Sequence, residues 1–184
     1  MNIVFITGNK AKVREAEKIL QTPLEIKDID LDEIQDLDLE KIALHKINQA
    51  YNLVKSPVII DDVSVEIDAW NGFPGPLIKW VLKTENHSAK LLLKMLAGEK
   101  NRRAKVRLAI GFHDGKKARI FYGEVDGVIA PEIRGENGFG WDPVFIPEGE
   151  NETYAEMDPD YKNSISHRRK ALDKLSDFLK SNGI

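Results

Sequence analysis

The run Asn2-Ile3-Val4-Phe5-Ile6-Thr7-Gly8-Asn9-Lys10-Ala11-Lys12-Val13 passes from an unbroken apolar stretch through a turn into helical spacing. Asn2–Ile6 reads as a strand, and Thr7-Gly8-Asn9 is turn chemistry. Val13, Ala16, Ile19 and Leu20 then recur at the period of a helix that ends near Leu20. A second strand is expected over Ile26–Leu31. Outward from there, a helix over about Leu39–Val54 carries Leu39, Ile42, Ala43, Ala50, Leu53 and Val54 on its apolar face. Pro57–Ile60 is a short apolar strand that stops at Asp61-Asp62. Val63, Val65 and Ile67 then alternate with Ser64, Glu66 and Asp68, a strand with one wet face. Pro76 can open a helix at its first position, and another helix covers about Ser88–Leu96. Ala104, Val106, Leu108, Ile110 and Phe112 mark a long strand that turns at Asp114-Gly115 and returns over Arg119–Ile129. Val144–Ile146 is a further short strand. Asp158-Pro159 caps a short helix and Ser166 caps the last, whose buried face is Ala171, Leu172, Leu175, Phe178 and Leu179. Early alternation of strand and helix followed by a hairpin predicts an α/β fold with a mixed, twisted sheet flanked by helices.

A chain of 184 residues with 42% hydrophobic and 31% charged residues fits one globular domain spanning residues 1–184, large enough to bury its own core. It has no cysteine, which excludes disulfides, thiolate metal sites and a cysteine nucleophile. No apolar run approaches the ~20 residues of a membrane helix, and the first residues read as a strand, not a signal peptide. No membrane association is expected, and the cytoplasm is the expected compartment. A net charge of −3 argues against nucleic acid as a partner. A polyphosphate needs only a local cluster of lysines.

Four segments carry chemistry. Thr7-Gly8-Asn9 with Lys12 lies between strand and helix, where backbone N–H groups and the positive end of the dipole favour a phosphate; the same residues also make a good turn and cap. Asp61-Asp62 ends an apolar strand, where α/β sheets place their ligands. Side chains alternate along a strand, so one carboxylate faces the site while the other ties down a loop. Glu33 is the distant carboxylate placed to join them in a hard oxygen site suited to magnesium. Gly138-Phe139-Gly140-Trp141-Asp142-Pro143 sets two aromatics and a carboxylate in a glycine-rich loop, for base stacking or as plugs that pin the loop. Lys162-Asn163-Ser164-Ile165-Ser166-His167-Arg168 ends at a helix start with cations that oppose the dipole, a placement that an anion or carbonyl ligand explains. Lys46 falls on the apolar stripe of its helix, either snorkelling to the edge or aimed at an anion. His45, His87 and His113 lack metal-ligand spacing and read as surface residues. Arg102-Arg103 reads as a solvated pair.

Taken in order, Thr7-Gly8-Asn9-x-x-Lys12, Ile60-Asp61-Asp62, Asn71-Gly72-Phe73-Pro74-Gly75-Pro76 with Ile78-Lys79-Trp80, Gly138-Phe139-Gly140-Trp141-Asp142-Pro143 and Ser166-His167-Arg168 resemble the motifs of the inosine triphosphate pyrophosphatase family. The resemblance covers nearly the whole chain. It implies a homodimer whose protomers have two lobes and a central cleft. Residue by residue, it implies triphosphate contacts from Thr7, Gly8, Asn9, Lys12, Lys46, Lys79 and Lys162. Glu33 and Asp62 match metal-site carboxylates, with Mg2+ as cofactor and Asp62 as the catalytic base. Phe139, Gly140, Trp141, Asp142, Ser166, His167 and Arg168 match the purine pocket. Val63-Ser64 and Leu77 depart from the family pattern, which usually has a small hydroxyl residue after the second aspartate and often a tyrosine at position 77. The implied reaction is hydrolysis of ITP, dITP and XTP to monophosphate and pyrophosphate, which clears deaminated purines from the nucleotide pool. The alternatives are a Maf-type pyrophosphatase of other specificity and a nucleotide sensor that does not hydrolyse.

Overall fold

The computed structural model of the protein describes residues 2–84 and 88–183 and, of Ala11, the backbone. In chain order the elements are β1 Ile3–Ile6, α1 Lys10–Leu20, β2 Leu24–Lys27, α2 Leu39–Val54, β3 Val58–Ile67, β4 Pro74–Gly75, α3 Ile78–Lys83, α4 Lys90–Met95, β5 Arg103–His113, β6 Ala118–Ile129, β7 Phe145–Pro147, α5 Pro159–Ile165 and α6 His167–Ser181. Among the described residues the seven strands form one mixed sheet in the order β2-β1-β3-β5-β6-β7, with β4 on β3. β1 pairs parallel with β2 and β3, whereas the β3–β4 and β6–β7 pairs are antiparallel. The fold is thus the expected α/β class.

The chain divides into two compact units: residues 1–62, 108–123 and 167–184, and residues 63–107 and 124–166. Each has its own core. In the first, Leu39, Ala43, Ile47 and Ala50 of α2 pack on Val4, Ile6, Val58, Ile60 and Ala109 of the sheet. In the second, Val65, Ile67, Val106, Val125 and Ile129 pack with Ile78, Leu82, Leu92, Leu96, Phe145 and Tyr154.

Local chemistry explains several ends. Asp38 caps α2 by accepting the Glu40 N–H at 2.9 Å, and Lys55 closes it in the left-handed region at φ 54°. Asp158 accepts the Asp160 and Tyr161 N–H groups, and Pro159 opens α5. In the β5–β6 hairpin, Asp114 Oδ1 accepts the N–H groups of Lys116 and Lys117, both at 2.8 Å. At Gly123 a side chain is excluded, because a methyl group there would overlap the His167 carbonyl and the Ala171 nitrogen at the start of α6.

The structure corrects the sequence expectations at specific places. β2 is Leu24–Lys27, not 26–31, because it ends where the four-residue β1 ceases to offer partners. β3 does not stop at Asp61-Asp62 but runs through them to Ile67, with both carboxylates paired to cations. Ser64, expected on a wet face, is fully buried and donates to Glu66 Oε1 at 3.0 Å. Leu53, assigned to the buried face of α2, is exposed, and Ile47 takes that role. α3 starts at Ile78, not Pro76, and α4 covers only Lys90–Met95. Arg102 is not solvated: its guanidinium donates to the carbonyls of Leu96, Ile129 and Ala130. His113 is not a surface residue. It is buried, stacked on Tyr51 at 3.9 Å, and accepts the Gly115 N–H at Nδ1. His45 is exposed as expected; His87 lies outside the described residues.

Candidate active site

In the first unit the β1–α1 turn is built by its own side chains. Thr7 Oγ1 accepts the Asn9 N–H at 3.1 Å, and Asn9 Oδ1 accepts the Lys12 N–H at 3.4 Å. Thr7 and Asn9 therefore act as turn and cap, leaving Gly8 exposed between them. One turn into α1, Lys12 Nζ lies 3.0 Å from Asp61 Oδ1.

Asp61 and Asp62 point apart, as alternation along β3 requires. The Asp61 side chain is 4% exposed and is held from two sides, by Lys12 and by Arg168 Nη2 at 3.2 Å from Oδ2. Arg168 also reaches Glu15 Oε2 at 3.4 Å. Burial works to raise the Asp61 pKa, but the two cations outweigh it and hold the carboxyl down at about 2. Asp62 lies in a different field. Lys46 Nζ is 2.6 Å from its Oδ1 and 3.4 Å from Glu33 Oε1. Asp62 Oδ2 is buried without a hydrogen-bond partner.

Desolvation pushes the Asp62 carboxyl up to about 6, with Asp61 and Glu33 as like charges adding to it and Lys46 opposing. Lys46 is in turn held above its ordinary value, the attraction of Asp62 overcoming desolvation. Asp62 faces two like charges with one oxygen unsatisfied, so a single ammonium does not offset its burial.

In the second unit, Asp142 organises the glycine-rich loop. Its side chain is 4% exposed, receives Lys162 Nζ at 2.6 Å and accepts the Phe139 N–H at 3.0 Å. Gly138 has φ 77°, and a methyl there would overlap this carboxylate. Phe139 is 54% exposed, with Lys162 Nζ 5.7 Å from its ring centre. Trp141 is buried and packs edge-on against Phe145 at 5.6 Å and tilted on Tyr154 at 6.0 Å, the packing of a plug, which the sequence left open beside base stacking. Phe139 alone of the pair presents its ring. Lys79 is exposed on the first turn of α3, 5.6 Å from the Trp80 ring. Ser166, in extended conformation between α5 and α6, and His167 are both buried.

Lys12, Lys46 and Lys162, expected at the phosphates, each have a carboxylate partner: Asp61, Asp62 and Asp142 in turn. Carboxylates of the protein supply the counter-charge that the sequence reading left to a bound anion. Two neighbours went unforeseen. Glu15 stands three residues after Lys12, a helical spacing that could have marked it. Tyr154, whose fully buried ring lies 5.4 Å from Lys162 Nζ, gave no signal in sequence.

Among the described residues no group of three or more histidines, aspartates or glutamates could hold a metal by itself. The donor set still fits magnesium. That ion binds through one or two carboxylates and completes its shell with water and phosphate oxygens. Asp62, with its unsatisfied Oδ2, and Glu33, which shares Lys46 with it, supply oxygen donors of that kind.

Residues 3–178 match the model of the Ham1 family. The chain is 42% identical, over 99% of its length and 98% of the relative's, to the dITP/XTP pyrophosphatase of Methanopyrus kandleri. It is 40% identical, over 98% of its length and 96% of the relative's, to the inosine triphosphate pyrophosphatase of Schizosaccharomyces pombe. The Ham1 protein of Staphylococcus aureus superposes with a TM-score of 0.85 at 30% identity, over 99% of this chain and 100% of that one. With a family match and relatives of this similarity over nearly its whole length, the chain belongs to the Ham1 family.

Proposed function

We propose that this protein hydrolyses deaminated purine nucleoside triphosphates, ITP, dITP and XTP, to the monophosphate and pyrophosphate. The observation that carries the proposal is Asp62, a buried carboxylate with one oxygen pinned by Lys46, the other unsatisfied, and a pKa raised to about 6. In the free chain Asp62 is mostly ionised at neutral pH and has one oxygen open to accept a proton from water.

In this mechanism water attacks the α-phosphorus, the bond to the bridging oxygen between the α- and β-phosphorus breaks, and pyrophosphate leaves. Asp62 orients the water and accepts its proton. Lys12, Lys46, Lys79 and Lys162 bind phosphate oxygens, and Thr7, Gly8 and Asn9 contribute the helix N-terminus. Glu33 and Asp62 would hold Mg2+, which neutralises charge developing on the leaving group. Phe139 stacks on the purine, while Asp142 fixes the loop that carries it. Arg168, next in sequence to Ser166 and His167, offers donors to the 6-oxo group that hypoxanthine and xanthine share and adenine lacks. Such hydrogen-bond mismatch discriminates by up to ~10⁴–10⁵. A homodimer in the cytoplasm, acting on the nucleotide pool, completes the proposal; size-exclusion chromatography with light scattering tests the dimer.

The deciding assay offers ITP, dITP, XTP, ATP, GTP, dTTP and UTP with Mg2+ at alkaline pH and detects pyrophosphate. Turnover of the first three above the rest is expected, and Asp62→Asn should lower it at least ~10²-fold with the fold intact. Preference for dTTP or UTP would indicate a Maf-type specificity, and binding of ITP without any product would indicate a sensor.

A further inference from the structure

We propose that Lys46 is a built-in stand-in for the divalent cation, so that metal binds the site more tightly together with a polyphosphate than alone. This rests on the metal assignment above and adds a coupling to it. The ammonium of Lys46 lies on both carboxylates assigned to the metal, 2.6 Å from Asp62 Oδ1 and 3.4 Å from Glu33 Oε1. Its position is fixed by α2, where it shares the stripe of Ile42, Ala43, Ile47 and Ala50 that packs on the sheet. Only 12% of its side chain is exposed. The stem therefore cannot swing freely into water.

A divalent cation approaching Asp62 and Glu33 alone must expel this ammonium, and a buried ammonium without a counter-charge is strongly unfavourable. A polyphosphate removes the obstacle by giving the ammonium anionic oxygens in exchange for Asp62 and Glu33. Metal and nucleotide then each favour the other's binding, a coupling that is reciprocal by linkage. In the free chain one ammonium is thus shared between the two carboxylates, and metal-bound water is activated only once substrate has drawn that ammonium away. The unsatisfied Asp62 Oδ2 marks what one ammonium cannot do: it reaches a single oxygen of a carboxylate that has two to offer.

The test measures binding of Mn2+ alone, by electron paramagnetic resonance of the free ion, to the full chain and to Lys46→Met and Lys46→Arg. Thermal melts establish that each variant is folded. Lys46→Met removes the competing charge and keeps the apolar stem, and should bind Mn2+ about tenfold more tightly than the wild type. Lys46→Arg restores a competing cation and should return affinity toward the wild-type value. A folded Lys46→Met that binds Mn2+ no more tightly than the wild type overturns the proposal. So does a Lys46→Arg chain that binds as tightly as Lys46→Met. ITP hydrolysis by the same wild-type preparation separates the two levels: turnover with unchanged Mn2+ affinities sinks the stand-in role alone. No turnover and no Mn2+ binding by any chain sinks the metal assignment with it.

Discussion

Replacing Asp61 and Asp62 by asparagine, one at a time, should change stability in opposite directions although the residues are neighbours on one strand. Asp61 falls from 3.8 to about 2 on folding, which corresponds to about 2 kcal/mol of stability at neutral pH. Because its folded pKa is depressed, this stability is present above pH 3.8 and is lost as pH falls through about 2. Removing one partner of a buried ion pair costs ~3–5 kcal/mol when the other is left stranded. Here Lys12 can relax toward water and Arg168 keeps Glu15, so Asp61→Asn should cost about 2–3 kcal/mol. For a chain of this length that lowers Tm by roughly 4–12 °C. Asp62 rises from 3.8 to about 6, so its ionised form costs the folded state about 3 kcal/mol at pH 8. The stability linked to its protonated form is full below pH 3.8 and is lost as pH rises through about 6. Asp62→Asn removes that cost, while Lys46 loses its 2.6 Å partner and keeps Glu33. Its Tm should equal or exceed the wild-type value at pH 8 and lose any advantage at pH 5. Urea and thermal unfolding of the three chains at both pH values reads this directly. A loss for Asp62→Asn as large as that for Asp61→Asn at pH 8, or a cost below ~1 kcal/mol for Asp61→Asn, would refute the reasoning.

Three further outcomes are expected. Phe139→Ala should leave stability within ~0.5 kcal/mol, because the ring is exposed, yet weaken ITP binding by ~1–3 kcal/mol; Trp141→Ala should instead cost ~3–5 kcal/mol of stability. Unfolding melts and titration calorimetry separate the two. Gly123→Ala forces a methyl into the backbone of α6, which cannot yield, and should cost at least ~3 kcal/mol or abolish soluble expression; a wild-type melt would contradict the packing. Burial lowers the His113 pKa below 6.5, with Arg119 acting in the same direction and Asp114 opposing. The unfolded chain therefore takes up this proton first as pH falls, and the contribution present above pH 6.5 is lost on acidification. The His113 imidazole should titrate below 6.5 by NMR, and the stability difference between wild type and His113→Asn should shrink between pH 7 and pH 5.

Where periodicity and capping act within one segment, the sequence alone was enough. It set α2 at Leu39–Val54 to the residue, placed the turn at Asp114-Gly115 and the cap at Asp158-Pro159, and put Lys46 on a buried stripe. These are properties of i to i+4 spacing and turn chemistry, which a short stretch carries whatever lies around it. It also brought the motif residues into view as candidates. Only tertiary structure decided what each is next to. Lys12 and Arg168 converge on Asp61 from 49 and 107 residues away in sequence, and Lys162 reaches Asp142 across 20. Local pattern cannot tell an exposed stacking ring from a core plug, so Phe139 and Trp141 looked alike until packing against Phe145 and Tyr154 separated them. Nor could it show why two adjacent aspartates should differ by about four pH units in their acidity. Strand alternation turns them to opposite faces, and each ionises according to the cations and the burial that the folded chain assembles on its side.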